Sequence, residues 1–313
     1  MRHFINILAA ALLTCATLSA QDGDKAGWRL RFLTDRLCEG RATGTRGGVL
    51  AGMWIAEEFA RIGLQPLDSS YFHGFTATSG ETGRNIVGLA GGSEKGSRRR
   101  YIVVGAHYDH IGTLGGTLYP GADSNASGVV SLLDIADRLR SAGRKGFHSV
   151  LFVAFDAKLH GMAGSKEMVR LLREGALKDP ETGQRILLRN VDFMINIDQV
   201  GSTAEPLASG RKDYLMMLSD ERTGRRQTLI ALNSAGPRMD ISFSYYGSRD
   251  FTDVFFRKAA DQKAFLDAGI PSVMFTSGIT MYNNKPTDTA EVIDFPILRK
   301  RIDLIYSYFE RLL

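Results

Sequence analysis

The sequence predicts a single α/β domain in which a mixed, largely parallel β-sheet is sandwiched between helices. Short apolar runs bounded by turn residues recur at Asn85–Leu89, Tyr101–Ala106, Ser149–Phe155, Phe193–Ile197 and Pro271–Thr276. Several are apolar without alternation, the pattern of strands covered on both faces. Helical periodicities fall between them, and strands alternating with helices argue for a parallel or mixed sheet between helical layers. A chain of 313 residues, 44% hydrophobic and 23% charged, is long enough to bury a sizeable core.

From the start, Met1 to about Ala20 has a basic opening (Arg2, His3), an apolar stretch from Phe4 to Leu13, and small residues ending at Ser19-Ala20 before Gln21-Asp22. This is the pattern of an export signal. A spanning helix needs about 20 apolar residues, and Asn6, Thr14, Cys15 and Thr17 interrupt this one. The expectation is an exported, periplasmic or extracellular protein, with residues 21–313 as one domain and no transmembrane segment after signal removal. Of two cysteines, Cys15 lies in the leader, so Cys38 remains without an internal disulfide partner. Leu12-Leu13-Thr14-Cys15 loosely matches a lipoprotein processing site, but threonine before the cysteine is atypical, so lipid anchoring through Cys15 is not expected.

Further along, Gly47 to Gly63 carries Val49, Leu50, Met53, Ala56, Phe59 and Ala60 at helical spacing with Gly63 as a stop. Val129–Leu139 and the closing Leu298, Ile302, Ile305, Phe309 and Leu312 repeat that pattern. Residues 204–258 are polar and aromatic with weak periodicity, which suits a covering loop or subdomain. The net charge of +5 is modest, and its densest run, Arg98-Arg99-Arg100, precedes an apolar strand as a solvated turn would. No stripe of basic residues interleaved with aromatics is present, so nucleic-acid binding is not expected.

Ligands of open α/β sheets gather beyond the carboxyl ends of strands. His107 follows Tyr101–Ala106, Asp198 ends the run from Phe193, and Asp123 sits in a Gly-rich turn before a helix. Each alone is more simply a cap or turn residue; together they have the composition of a metal site, with Asp109 as a carboxylate able to orient His107.

The segments LCEGRATGTRGG, NIVG, VVGAHYDHIG, GADSNASGVV, FVAF, GMAGS, NIDQVGS, AGIP and KPTDT, in that order, resemble the secreted co-catalytic di-zinc aminopeptidases, a family related to the glutaminyl cyclases. The resemblance runs from about Leu37 to the C-terminus and implies the zinc-aminopeptidase fold. It also implies that His107, Asp123 and Asp198 correspond to one zinc's ligands, with Asp123 bridging to a second zinc. The family's strand-end motif, similar to F-S-G-E-E-L-G-L-L-G-S, is met without a gap by FDAKLHGMAGS. That alignment puts Lys158 on the general-base glutamate and Leu159 on the second zinc's glutamate. Asn284 falls where a late histidine ligand belongs, and Gln262, after Asp261, where a pocket histidine belongs. Misalignment does not explain these differences, since no histidine follows His160 and the only glutamate between Lys145 and Arg170 is Glu167.

Zinc takes anionic or imidazole donors. Leucine offers none, and a neutral amide is a weak substitute. Loss of a general base removes about 10²- to 10⁴-fold in rate. The expectation is therefore an exported family member without a second zinc site, holding at most one zinc or none, whose pocket binds a peptide or peptide-like ligand or an envelope protein partner without hydrolysing it. In this view the Lys158 ammonium supplies the positive charge formerly provided by metal. The alternative is a weak single-zinc aminopeptidase or amide hydrolase using His107, Asp123 and Asp198, with His160 or His110 assisting; a purely structural role in surface assembly is a third. Cyclase activity is disfavoured because it would use the zinc position that is altered here.

Overall fold

The apolar runs become the middle of a nine-stranded sheet. A computed structural model describes residues 25–94, 96–143, 145–203, 211–219, 225–245 and 247–313; the expected leader at 1–20 lies outside them. Four parallel strands form the centre, in the order β7 (Ser149–Phe155), β4 (Tyr101–His107), β10 (Val191–Ile197) and β13 (Ser272–Thr276). On one side β3 (Thr82–Ala90) runs antiparallel to β7 and carries β1 (Gln65–Pro66) and β2 (Phe72–Thr76); on the other β11 (Leu215–Ser219) runs antiparallel to β13 and pairs with β12 (Ile241–Ser242). Two hairpins, β5–β6 (Gly112–Leu114, Thr117–Tyr119) and β8–β9 (Leu177–Lys178, Arg185–Ile186), lie outside this sheet.

The absence of alternation in the central strands follows from burial on both faces. Ile102 and Val104 of β4 join a core with α1 (Lys25–Thr34), α2 (Arg46–Ile62), α3 (Ser127–Ser141) and the closing α8 (Phe295–Glu310), whereas Val103 between them faces α4 (Ala163–Glu174) and the short α7 (Gln262–Asp267). The helix expected at Gly47–Gly63 spans Arg46–Ile62, its start capped by Thr45 Oγ1 accepting from Gly48 N at 3.2 Å and its end by Gly63 at φ +84°. Gly47 and Gly48 let that helix approach the preceding turn: a Cβ on either would lie 2.2–2.3 Å from the carbonyl oxygen of Cys38 or Ala42. Cys38 is buried and donates to the Phe32 carbonyl.

Within 204–258 the described residues are more regular than the composition suggests. Besides β11 and β12 they contribute α5 (Arg226–Ala235) and α6 (Arg249–Lys258). β11 is an integral strand: Leu215 and Met217 enter the main core, while Met216 and Leu218 pack with Tyr214, Tyr245, Phe256, Ala260 and Met274 in a third cluster. Among the described residues no helix is long and apolar enough to cross a membrane.

Parallel registry aligns the carboxyl ends of the central strands, pairing His107 with Phe155 and Ile197 with Phe275. The residues that follow those ends, Tyr108–His110, Asp156–Leu159, Asp198–Gln199 and Ser277, are thereby brought to one edge.

Candidate active site

At that edge a lysine amine lies between two of the three residues expected to hold metal. Lys158 Nζ donates to Asp198 Oδ2 at 2.6 Å and lies 3.1 Å from His107 Nε2, while His107 Nε2 and Asp198 Oδ1 are 3.5 Å apart. The ring's other nitrogen, Nδ1, is 3.0 Å from the Asp109 carbonyl oxygen. A carbonyl can only accept, so the proton sits on Nδ1 and the Nε2 lone pair faces the ammonium. Burial and the Lys158 ammonium work against a second proton on His107; Asp198 and Asp109 favour it and lift the imidazole to about 9. A second proton would go to Nε2, the nitrogen that meets the Lys158 amine, so ring proton and amine compete for that one contact.

The lysine and aspartate hold each other charged. Burial would push Asp198 up, but Lys158 and His107 outweigh it and hold the carboxyl well below the usual range. Burial would push Lys158 down, but Asp198, with Asp261 and Asp109 farther off, holds it above its ordinary value.

Asp109 works through its backbone and side chain differently. Its carbonyl orients His107, while its buried carboxylate accepts from Lys158 N at 3.0 Å and Leu159 N at 3.2 Å, fixing the turn that carries the lysine. Asp123, expected to bridge metals, has both oxygens engaged by protein donors. Oδ1 accepts from Gly201 N at 2.8 Å, Ser202 N at 3.2 Å and Ser127 Oγ at 3.3 Å, and Oδ2 accepts from the Ser202 hydroxyl. No group of three or more His, Cys, Asp or Glu side chains among the described residues is arranged to hold a metal ion.

The remaining candidates scatter. Leu159 is 47% exposed, and Asn284 is exposed at φ +56°; it is the neighbouring Asn283 whose side chain accepts from Gln199. Gln262 was expected to line the pocket, but it is fully buried, accepting from Asn196 Nδ2 at 2.8 Å and donating to the Phe256 carbonyl at 2.7 Å. A side chain with both donor and acceptor groups spans that gap between sheet and helix. Asp261 is buried too, and burial lifts it to about 6 against the opposing pull of His107, Ser165 and Lys158. His160 turns toward the β2–β3 hairpin, its Nδ1 2.9 Å from Ser79 Oγ and 3.3 Å from Glu81 Oε2. Both partners meet one ring nitrogen, so this is not a serine–histidine–acid relay. His110 is buried without a partner on its ring nitrogens among the described residues, and burial with nearby Arg41 lowers it to about 3, leaving a neutral imidazole.

Two buried arginines hold the loops together, and reading the sequence missed both. Arg41 donates to the carbonyls of Tyr108, Leu33, Pro120 and Gly121 at 2.6–2.8 Å, tying the loop after β4 to the turn that carries Asp123. Arg301 does the same for Val200, Ser202 and Tyr214 at 2.8–3.0 Å, so it sets the backbone donors that reach Asp123. Asp288 accepts from Asp123 N at 2.8 Å and Ser124 N at 3.0 Å, and Asn125, after a cis Ser124–Asn125 peptide, donates to the Ile197 carbonyl at 2.9 Å. The motifs containing Arg41 and Asp288 were visible; what hid their roles is that both act on backbone groups far away in sequence.

Residues 85–309, which include the strand-end loops carrying His107, Asp123, Lys158 and Asp198, match the model of peptidase family M28. The chain belongs to that family. Among curated relatives it is 26% identical over 220 residues to the alkaline phosphatase isozyme conversion protein of Escherichia coli (strain K12), covering 64% of this chain and 60% of that protein. It is 28% identical over 243 residues to aminopeptidase YwaD of Bacillus subtilis (strain 168), covering 73% of this chain and 44% of that protein. The chain thus matches less than two thirds of either relative's length. The fold is shared with LapB from Legionella pneumophila, at a TM-score of 0.70 and 19% identity over 93% of this chain and 72% of that one. It is shared also with Fimbriiglobus ruber glutaminyl cyclase, at 0.68 and 16% over 92% and 95%. The zinc-aminopeptidase-like fold expected from the motifs is met, and a glutaminyl cyclase shares it.

Proposed function

We propose that this M28 member is an exported binding protein that does not hydrolyse peptides, in which the Lys158 ammonium takes the place of a metal ion and the pocket above it holds a peptide or peptide-like ligand. The observation that carries this is the amine at 2.6 Å from Asp198 and 3.1 Å from His107. The residues fit a zinc pair badly. A cation already neutralises Asp198, the Nε2 lone pair that would bind metal faces that cation, and Asp123 is saturated by N–H and O–H donors. Leu159 provides no donor atom and Asn284 only a neutral amide, whereas zinc sites are built from thiolate, imidazole and carboxylate. A lysine ammonium also cannot accept a proton from an attacking water, which is the work of a general base.

Metal analysis of purified protein alongside an aminopeptidase panel tests this. The expected result is substoichiometric zinc and no chelator-sensitive turnover. One tightly bound zinc per chain, with turnover abolished by chelator, would establish the single-zinc hydrolase instead. Lys158→Glu, Leu159→Glu and Asn284→His introduced together should raise zinc stoichiometry, and unchanged stoichiometry would show that the correspondence of these positions is wrong.

A further inference from the structure

A cavity of about 240 Å³ lies at the end of the sheet away from Lys158, where β3 ends at Ala90 and β7 begins. The seven residues of β7 separate it from the strand-end loops by about 20 Å, so nothing seated there touches Lys158, His107 or Asp198. Its floor is apolar, with Ala90, Leu139 and Val150 buried beneath it. One wall is the loop after α3, which Gly143 turns at φ +63°. Another is Leu313, packed on Gly146 so closely that a Cβ on the glycine would lie 2.6 Å from the leucine Cβ. The Leu313 main-chain oxygen accepts from Phe147 N at 2.8 Å and His148 N at 3.4 Å, which ties the two walls together.

The mouth of this cavity is cationic. Arg140 and Lys145 line it, both exposed, and neither has an ion pair or a side-chain hydrogen bond among the described residues. The other basic groups nearby are already paired: Arg138 with Asp134 and Asp303, Arg99 with Asp179 and Glu181, and Arg100 and His148 with Asp192. Among the described residues no acidic side chain lines the cavity. The Arg140 guanidinium lies over Gly63 at the end of α2, where a Cβ would be 3.6 Å from Nη2. A bare inorganic anion would gain nothing from the floor, and a neutral molecule nothing from the cations. An anion carried on a short apolar body uses both. At about 30 Å³ for each water-sized group, the space admits about eight non-hydrogen atoms.

We propose that this cavity binds a small organic carboxylate, its apolar body on Ala90, Leu139 and Val150 and its carboxylate between Arg140 and Lys145. The guanidinium fork supplies the paired N–H donors that a carboxylate accepts, and the ammonium adds a point charge. The site is independent of whether the Lys158 pocket binds metal or peptide.

Methyl NMR of the full chain titrated with hexanoate tests it, with hexanamide as the neutral match of equal size and acetate as the headgroup alone. The expected result is saturable shifts of the Ala90, Leu139 and Val150 methyls with hexanoate, at a Kd in the millimolar range. Hexanamide and acetate should each bind about tenfold more weakly or worse. Arg140→Gln with Lys145→Gln should bring hexanoate down to the level of hexanamide. Both side chains are exposed, so the circular dichroism spectrum and melting temperature should stay unchanged. Equal binding of hexanoate and hexanamide overturns the proposal. So does hexanoate binding that survives the double substitution, or an absence of saturable shifts at these methyls.

Discussion

Three side chains, Lys158, Asp198 and His107, meet beyond the strand ends, and their ionisation can be tested directly. Removing one partner of a buried pair leaves the other charge uncompensated, which costs about 3–5 kcal/mol. Lys158→Met should therefore lower stability by that amount at pH 7, read from urea unfolding. Asp198 is held below its ordinary value, so its contribution is present above the unfolded pKa of about 3.9 and is lost as pH falls through the folded one. Lys158 is held above its ordinary value, so its contribution is present below about 10.4 and lost as pH rises through the folded pKa. In the methionine variant His107, 3.5 Å from Asp198 and freed of the ammonium that works against its second proton, can pair with the carboxylate as an imidazolium, so the deficit should widen between pH 7 and pH 10 as that proton is lost. A deficit constant across that range would mean that the pair is not linked to stability. Asp261 behaves in the opposite sense. Its folded pKa is raised to about 6, so its ionisation penalises the fold increasingly as pH climbs from about 4 to 6 and fully above that. Asp261→Asn should stabilise the protein by about 1–3 kcal/mol at pH 8, one pKa unit being about 1.4 kcal/mol, and the gain should vanish near pH 4.

At the scale of elements, the loops are positioned less by their own sequences than by the arginines that collect their carbonyls. Hydrogen bonds from a charged donor contribute about 1.5–3 kcal/mol each, and Arg41 makes four to four separate residues. Arg41→Lys keeps the charge but cannot span those acceptors. It should destabilise by about 3 kcal/mol or more and loosen the 108–126 segment, measured as faster amide hydrogen exchange there than in β7. Uniform exchange across both would show that Arg41 acts on the whole core instead. The same residues explain what was legible in the sequence. The central strands and α2 could be read because apolar runs, a threonine cap and a terminal glycine are local patterns. β11 obeys the same rule but was hidden among polar, aromatic neighbours in the 204–258 region. The site was legible in its residue types: His107, Asp198 and Lys158 do meet. Asp123, in contrast, is satisfied by Gly201 and Ser202, and Gln262 by Asn196 and the Phe256 carbonyl, because donors far away in sequence decide where a buried polar group turns.

For the molecule as a whole, the consequence of a built-in cation is that the fold should not depend on metal. A metal that binds only the folded state stabilises it by RT ln(1 + [L]/Kd), about 2.7 kcal/mol when the ion is present at 100 times its Kd. For a domain of this size each kcal/mol moves the melting temperature by about 2–4 °C, so a competent zinc site would register as a shift of several degrees on adding zinc, and chelator would reverse it. With Lys158 satisfying Asp198 and His107, the wild-type protein should melt within about 1 °C of the same temperature in zinc and in chelator. The variant carrying Lys158→Glu, Leu159→Glu and Asn284→His should behave differently. Its carboxylates repel one another until an ion arrives, so its melting temperature should fall in chelator and recover in zinc. A wild-type chain that loses several degrees in chelator would place a metal where the amine is drawn, and would return this protein to the hydrolytic members of its family.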